Sequence, residues 1–297
     1  MTVAPSGSGT VEPPSTSARR IIRRRLMALN TGRYAALILM AVVCLGPLLW
    51  QISTSLKGHG VDIYSSPPQL LPEKASMNAY SKVADIVPIW RYAMNSLIVA
   101  VSVVVTNIIG ATCAGYALAK MDFRGKKLAL AVFLTAMLVP GEVVLVAKYM
   151  LTLSMGINNS LLGVILPSAV GALNVLLMRN AMAGIPDELE EAGTLDGANA
   201  WQRFRHIAVP SVRGTTAVVA IFAFVGSWDG FLWPLIVLSD QSKYTLTVGL
   251  NYLQGTFQGD PRVIAAGTVV AILPLVIFFF ALQRYFFRGV GEGAVKG

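Results

Sequence analysis

Met94-Asn-Ser-Leu-Ile-Val-Ala-Val-Ser-Val-Val-Val-Thr-Asn-Ile-Ile-Gly-Ala-Thr-Cys-Ala-Gly-Tyr-Ala117 runs without a charged side chain. A helix rises about 1.5 Å per residue, so about 20 apolar residues cross a hydrocarbon layer about 30 Å thick. Five further runs of this kind lie along the chain: Ala35–Ser53, Leu128–Met150, Leu161–Met182, Thr215–Leu238 and Ile264–Leu282. Composition agrees. Of 297 residues, 55% are hydrophobic and 13% are charged, about half the roughly 25% charge of an average soluble domain. Disorder over most of the length is excluded, because disorder needs low hydrophobicity and high charge. The reading is an all-α polytopic membrane protein with six transmembrane helices.

The segments between the runs set the sidedness. With the N-terminus inside, 17 of the 24 Lys and Arg fall on the inner side. They cluster at Arg19–Arg33, Lys120–Lys127, Arg179–Arg213 and Arg284–Lys296. This asymmetry is the positive-inside rule, and an even number of spans returns the C-terminus to the cytoplasm. The formal net charge of +9 is therefore read as a topology signal, and nucleic acid is not expected as a partner. Two external loops, Leu56–Arg91 and Ser239–Arg262, are long enough to meet an external partner.

Residues 1–33 are expected to be a disordered, basic cytoplasmic segment. Met1–Ser17 is rich in Ser, Thr, Pro and Gly, and Ala18–Arg25 is an Arg cluster beside the first span. The apolar run is longer than a signal peptide's and has no evident cleavage site, so it reads as an uncleaved span. Residues 34–297 form the transmembrane domain. Cys44 and Cys113 lie inside apolar runs and read as small buried thiols, not as a disulfide framework. His59 and His206 are far apart and lack companion ligands, so no metal is assigned.

The longest internal cytoplasmic connection is Gly184–Pro210, and it is not a plain linker. Pro186 suits a helix start. Asp187, Glu188, Glu190 and Glu191 then place four carboxylates at its positive end. Asp196-Gly197 signals a turn. Trp201, Phe204, Ile207 and Ala208 share one face of a second short helix, which Pro210 is expected to end. Ala192, Gly193, Gly197 and Ala198 are small enough to admit a partner backbone. A helical elbow of this shape fits a groove on another protein. The alternative, a helix pair lying on the inner lipid surface, is disfavoured because anionic headgroups repel its carboxylates.

The run Glu191-Ala192-Gly193-Thr194-Leu195-Asp196-Gly197-Ala198, with Phe204, Ile207 and Pro210, resembles the EAA coupling loop of ABC importer permeases. Residues 34–297 further resemble the carbohydrate-uptake branch, specifically the maltose-type permease with six spans. Asn95–Ile98, Gly115–Ala119, Phe123–Gly125, Tyr244–Leu246 and Gly293–Gly297 carry that likeness. Gly193 departs from the second Ala of the triplet, and the Pro often found shortly after Pro210 is absent. The resemblance implies a type I importer permease fold in a prokaryotic inner membrane. It also implies a second homologous permease, two cytoplasmic ATPase subunits and an extracytoplasmic substrate-binding protein. The ATPase contacts would be Glu190, Glu191, Ala192, Gly193, Asp196, Gly197, Ala198, Phe204 and, from the C-terminal tail, Lys296. ATP and Mg would be used by the partner, with no cofactor bound by this chain. The sequence agrees that the chain is not an enzyme: it has no phosphate-binding Gly-Lys-Ser/Thr loop and no nucleophile–His–carboxylate set.

Two carboxylates fall at bilayer depth, where charge costs at least about 2.5 kcal/mol and usually faces a cavity. Glu142 follows Pro140-Gly141, which should kink span three. Asp229 lies in Trp228-Asp-Gly-Phe-Leu-Trp-Pro234, a broken-helix signature of midplane transport sites. Carboxylates accept from sugar hydroxyls, and Trp228, Phe231 and Trp233 could stack on a sugar face. These five residues are the candidate substrate pathway. Pairing with a neighbouring helix or with the second permease is the competing use. Asn95, Asn107 and Asn174 read as helix–helix hydrogen-bonding groups, and Ala111-x-x-x-Gly115 reads as a packing pattern. The leading function is therefore an ATP-driven importer permease for a sugar or related polyhydroxyl solute. The alternatives are an ion-coupled secondary transporter using Glu142 and Asp229, or a permease for glycerol-phosphate-type cargo.

Overall fold

A computed structural model describes residues 16–60, 62–63, 69–72, 74–256 and 260–294, and within these ranges side chains from residue 30 to residue 253 and from residue 260 to residue 283. Lys296 and residues 1–15 lie outside them. Helix α1 spans Thr16–Ser55. It therefore takes in residues 16–33, which the sequence reading placed in a disordered segment. Ala, Arg, Leu and Met predominate there and are good helix formers, so the membrane helix extends backwards through the Arg cluster. By its contacts the chain divides into two units between Ser53 and Thr54, and the packed body is the second.

In the packed body, α2 (Asn78–Ile86) leads into the long α3 (Ile89–Lys120). Then come α4 (Lys126–Leu138), α5 (Leu145–Ser154), α6 (Leu161–Ile165) and α7 (Ala172–Ala183). The elbow follows as α8 (Asp187–Leu195), α9 (Ala200–Arg203) and α10 (Val209–Ser211). The chain closes with α11 (Arg213–Trp228), α12 (Leu232–Val237), α13 (Leu246–Thr256) and α14 (Pro261–Ala294). Among the described residues, Asn30–Ser55, Ile89–Lys120 and Pro261–Gln283 are long and apolar enough to cross a membrane unbroken.

The other apolar runs are interrupted. Span three divides at residues 139–144, around Pro140-Gly141, so Leu128–Met150 is not one helix. Span four bends by 41° between Leu161–Ser168 and Ala172–Ala183, at Pro167 and Gly171, a break the sequence reading did not anticipate. Span five breaks at residues 229–231 between α11 and α12, as Gly230 suggested. Pro234 sits in the first turn of α12, where it has no helical donor to lose.

Helix α3 is the axis of the body: α7 and α11 pack on it, and α14 packs on α11. In lipid there is little hydrophobic drive between helices, so close packing and hydrogen bonds must hold them. Gly115 supplies the first. A Cβ there would lie 2.9 Å from both the Arg179 backbone nitrogen and Met178 Cβ, so α3 and α7 meet backbone to backbone as the small-residue pattern predicts. Asn107 supplies the second. Its Nδ2 donates to the carbonyls of Val103 (3.0 Å) and Ser168 (2.9 Å). Its Oδ1 accepts from Gly171 N and Asn174 Nδ2, both at 2.8 Å. One buried amide thus satisfies backbone groups freed by the break in span four. Cys44 and Cys113 are free but exposed, each on an apolar helix face that the described chain leaves uncovered; the reading of buried thiols does not hold.

Candidate functional site

The elbow is built from local signals. Pro186 (φ −56°, ψ 136°) precedes α8, and Asp187, Glu188 and Glu190 occupy the first helical turn. Gly197 at φ +78° reverses the chain, a conformation open to Gly at little cost. Around it, Gly197 N donates to Thr194 O (3.0 Å) and Ala198 N to Gly193 O (2.9 Å). Asn199 then caps α9: its Oδ1 accepts from Gln202 N (2.9 Å), while Gln202 Oε1 accepts from Asn199 N (2.8 Å).

The four carboxylates are not equivalent. Asp187, Glu190 and Thr194 are spaced three and four apart and share one face. Lys120, at the end of α3, donates to Asp187 Oδ1 (2.5 Å) and to the Ile185 carbonyl (2.6 Å). Glu190, only 14% exposed at its side chain, accepts at Oε2 from Arg203 Nε (3.1 Å) and from the Tyr116 hydroxyl (3.2 Å). Glu188, Glu191 and Leu195 share another face with the same spacing, and all three are exposed. Leu195 reaches 89% exposure and Trp201 on α9 reaches 63%. Among the described residues, neither Glu188 nor Glu191 has an ion-pair partner. Leu189 and Leu195 escaped the sequence reading; an apolar side chain on the outer face of an acidic exposed helix was the available signal.

Other elbow residues separate in the same way. Ala192, Asp196 and Gly197 are exposed and Ala198 is half-buried. Gly193 is buried, and its space is filled from within: a Cβ there would lie 2.8 Å from Ile207 Cδ1 and 3.4 Å from Arg203 Cδ. The room expected for a partner backbone at this position is taken by the elbow itself. Phe204 packs on Tyr116, with centroids 5.1 Å apart. Pro210 does not end the second helix. A π-turn at Phe204–Ala208 precedes it, and the wider turn accommodates a ring that lacks an N–H. The chain turns at Val212, where α11 leaves at 77°.

The pathway candidates look different. Glu142 and Asp229 are exposed, each beside a helix break, and among the described residues neither carboxylate has a hydrogen bond or an ion pair. Phe231 is exposed too. Trp228 is not available to a sugar: it is 5% exposed, its Nε1 donates to the Ala271 carbonyl (3.0 Å), and its ring stacks on Phe224 at 5.6 Å. The period-3.6 position of Trp228 in α11 turns it to the core, and Trp228 is withdrawn from the pathway set. Trp233 is half-buried and carries Lys148 Nζ 4.0 Å above its ring, a cation–π pair. The lone Lys in the apolar α5 pointed to such a contact.

At the other end of α3, Asn95 Nδ2 donates to the carbonyls of Ser242 (3.1 Å) and Tyr244 (3.0 Å). Ser96 Oγ accepts from Leu246 N (2.8 Å). The 239–246 segment is thereby fastened to α3. Within it, the hydrogen bond with Tyr252 pushes the Tyr244 hydroxyl up to about 12, so Tyr244 stays neutral. The backbone donor of Ser242 holds the exposed Asp240 below the usual carboxylate range.

Comparison with known proteins places this geometry. Residues 106–292 match the family described as binding-protein-dependent transport system inner membrane component. The chain is 30% identical over 264 residues to an arabinooligosaccharides transport system permease protein of Halalkalibacterium halodurans, covering 87% of this chain and 93% of the relative. It is 31% identical over 278 residues to a diacetylchitobiose uptake system permease protein of Streptomyces coelicolor, covering 92% and 90%. A bacterial ABC transporter involved in the import of the acidic polysaccharide alginate has a chain of the same fold. Its TM-score is 0.77 at 24% identity, over 92% of this chain and 99% of that one.

Proposed function

This chain belongs to the family of binding-protein-dependent transport system inner membrane components, and on that premise we propose that it is the permease subunit of an ATP-driven importer for a sugar or related polyhydroxyl solute. It is a multi-pass inner membrane protein. The observation that carries the reading is the bare face of α8. Glu188, Glu191 and Leu195 project from an elbow whose other face is tied to its own chain through Asp187 and Glu190. An exposed apolar tip flanked by unanswered carboxylates marks a surface for a protein partner. The partner proposed is a cytoplasmic ATPase, two copies of which would hydrolyse ATP and supply the motion.

The cargo follows from the relatives and from the breaks. The two permease relatives carry the names of an arabinooligosaccharides transport system and a diacetylchitobiose uptake system. Glu142 and Asp229 offer acceptors for hydroxyl groups and repel phosphate, which favours a sugar over a glycerol-phosphate-type solute. Their exposure in the single chain suits a pathway completed by a second permease, loaded outside by a binding protein. Family membership weighs against an ion-coupled transporter acting alone.

The test is purification of the assembled transporter carrying Glu191→Lys. The account expects the ATPase subunits to be lost while the permease keeps its melting temperature. Undiminished ATPase content would remove the bare face of α8 from the docking surface.

A further inference from the structure

Helix α3 spans 32 residues, about 48 Å at about 1.5 Å per residue, without a break. Both of its ends are tied to other segments by side chains. At one end, Tyr116 and Lys120 reach the elbow. At the other, Asn95 and Ser96 hold the 239–246 segment. The elbow tie is the more demanding, because it engages a largely buried carboxylate. Glu190 Oε2 receives Arg203 from α9 and Tyr116 from α3, while Glu190 Oε1 is buried with no hydrogen-bond partner among the described atoms. Arg203 is also held in place: its Nη1 donates to the Ala198 carbonyl at 3.0 Å and its stem packs on Gly193. Removing one member leaves the others desolvated and unanswered, which costs more than the pair itself contributes.

We propose that Glu190, Arg203 and Tyr116, supported by Lys120–Asp187, form a latch that makes the elbow and α3 a single rigid lever. A displacement imposed on the bare face of α8 is thereby delivered along α3 to the 239–246 segment. Glu190 then acts as a positioning residue, working through α3, and is not an ATPase contact. The proposal rests on the docking reading above, but it concerns the opposite face of the same helix.

Spin labels at Arg205→Cys in the elbow and Ile109→Cys on α3, both exposed positions, test it in the assembled transporter in nanodiscs with Cys44 and Cys113 replaced by Ser. With the latch intact, the distance distribution is narrow and stays the same after trapping with Mg-ATP and vanadate. Tyr116→Phe and Glu190→Gln are expected to widen it at least twofold in the trapped state with the ATPase subunits still bound. The paired exchange Glu190→Arg with Arg203→Glu is expected to narrow it again. A distance that changes on trapping with the latch intact, or latch variants that keep the narrow distribution, would overturn the proposal. So would loss of the ATPase subunits from Glu190→Gln, which would put Glu190 in the docking face. The two readings fail separately. ATPase subunits retained by Glu191→Lys, with the narrow distance unchanged, sink the docking reading alone.

Discussion

The elbow at 184–210 and the helix breaks at 139–144 and 229–231 each present carboxylates in an otherwise apolar chain, yet they treat them in opposite ways. In the elbow, Asp187 and Glu190 are answered by Lys120, Arg203 and Tyr116. At the breaks, Glu142 and Asp229 stand exposed and unanswered among the described residues. The difference separates framework charge from working charge. A carboxylate satisfied by its own chain fixes geometry, whereas one left bare in a membrane protein must be satisfied by something outside the chain. Glu188 and Glu191 extend the rule within a single helix, since they lie a few ångströms from the framework acids but face outward.

The largest effect should come from Leu195→Asp combined with Glu191→Lys. ATPase retained by the purified complex should drop by more than about tenfold, equivalent to about 1.4 kcal/mol or more of docking energy, with the melting temperature unchanged. Retention of ATPase would erase the distinction between the two faces of α8. Next comes Arg203→Leu, which strands a mostly buried carboxylate. Melting in detergent should show a loss of about 1–3 kcal/mol, and a neutral result would mean that Glu190 is not framework. Asn107→Leu should cost about 1–2 kcal/mol by removing the amide that stitches the break in span four. Asp229→Asn should leave stability within about 0.5 kcal/mol, as for an ordinary exposed site, but raise the KM for solute uptake. A stability loss instead would reclassify Asp229 with the framework acids. Gly193→Ala should have the smallest effect, under about 0.5 kcal/mol, because the atom displaced is the mobile end of Ile207.

What was legible in the sequence was local. Pro186, the acidic first turn and Asp196-Gly197 all lie within a few residues of the structure they create, so the elbow could be drawn in advance; the Asn199–Gln202 cap was as local but went unread. Pro140-Gly141 and Gly230 marked two breaks for the same reason. The third break, at Pro167 and Gly171, carried the same kind of signal but sat inside a run apolar enough to look continuous. The sorting of the carboxylates was not legible, because it depends on Tyr116 and Lys120, more than sixty residues away in the chain. Trp228 was misassigned on similar grounds. Its aromatic neighbours along the sequence suggested a sugar platform, while its actual partners, Phe224 and the Ala271 carbonyl, are set by helical register and by α14. Lys296, proposed for the ATPase interface, lies outside the described residues.

The most direct test of the whole account is solute uptake into proteoliposomes under two separate driving forces. The assembled transporter with its binding protein should accumulate sugar when Mg-ATP is present on the elbow side, and should not respond to an imposed proton gradient. Accumulation by this subunit alone, driven by the gradient without ATPase or ATP, would contradict it.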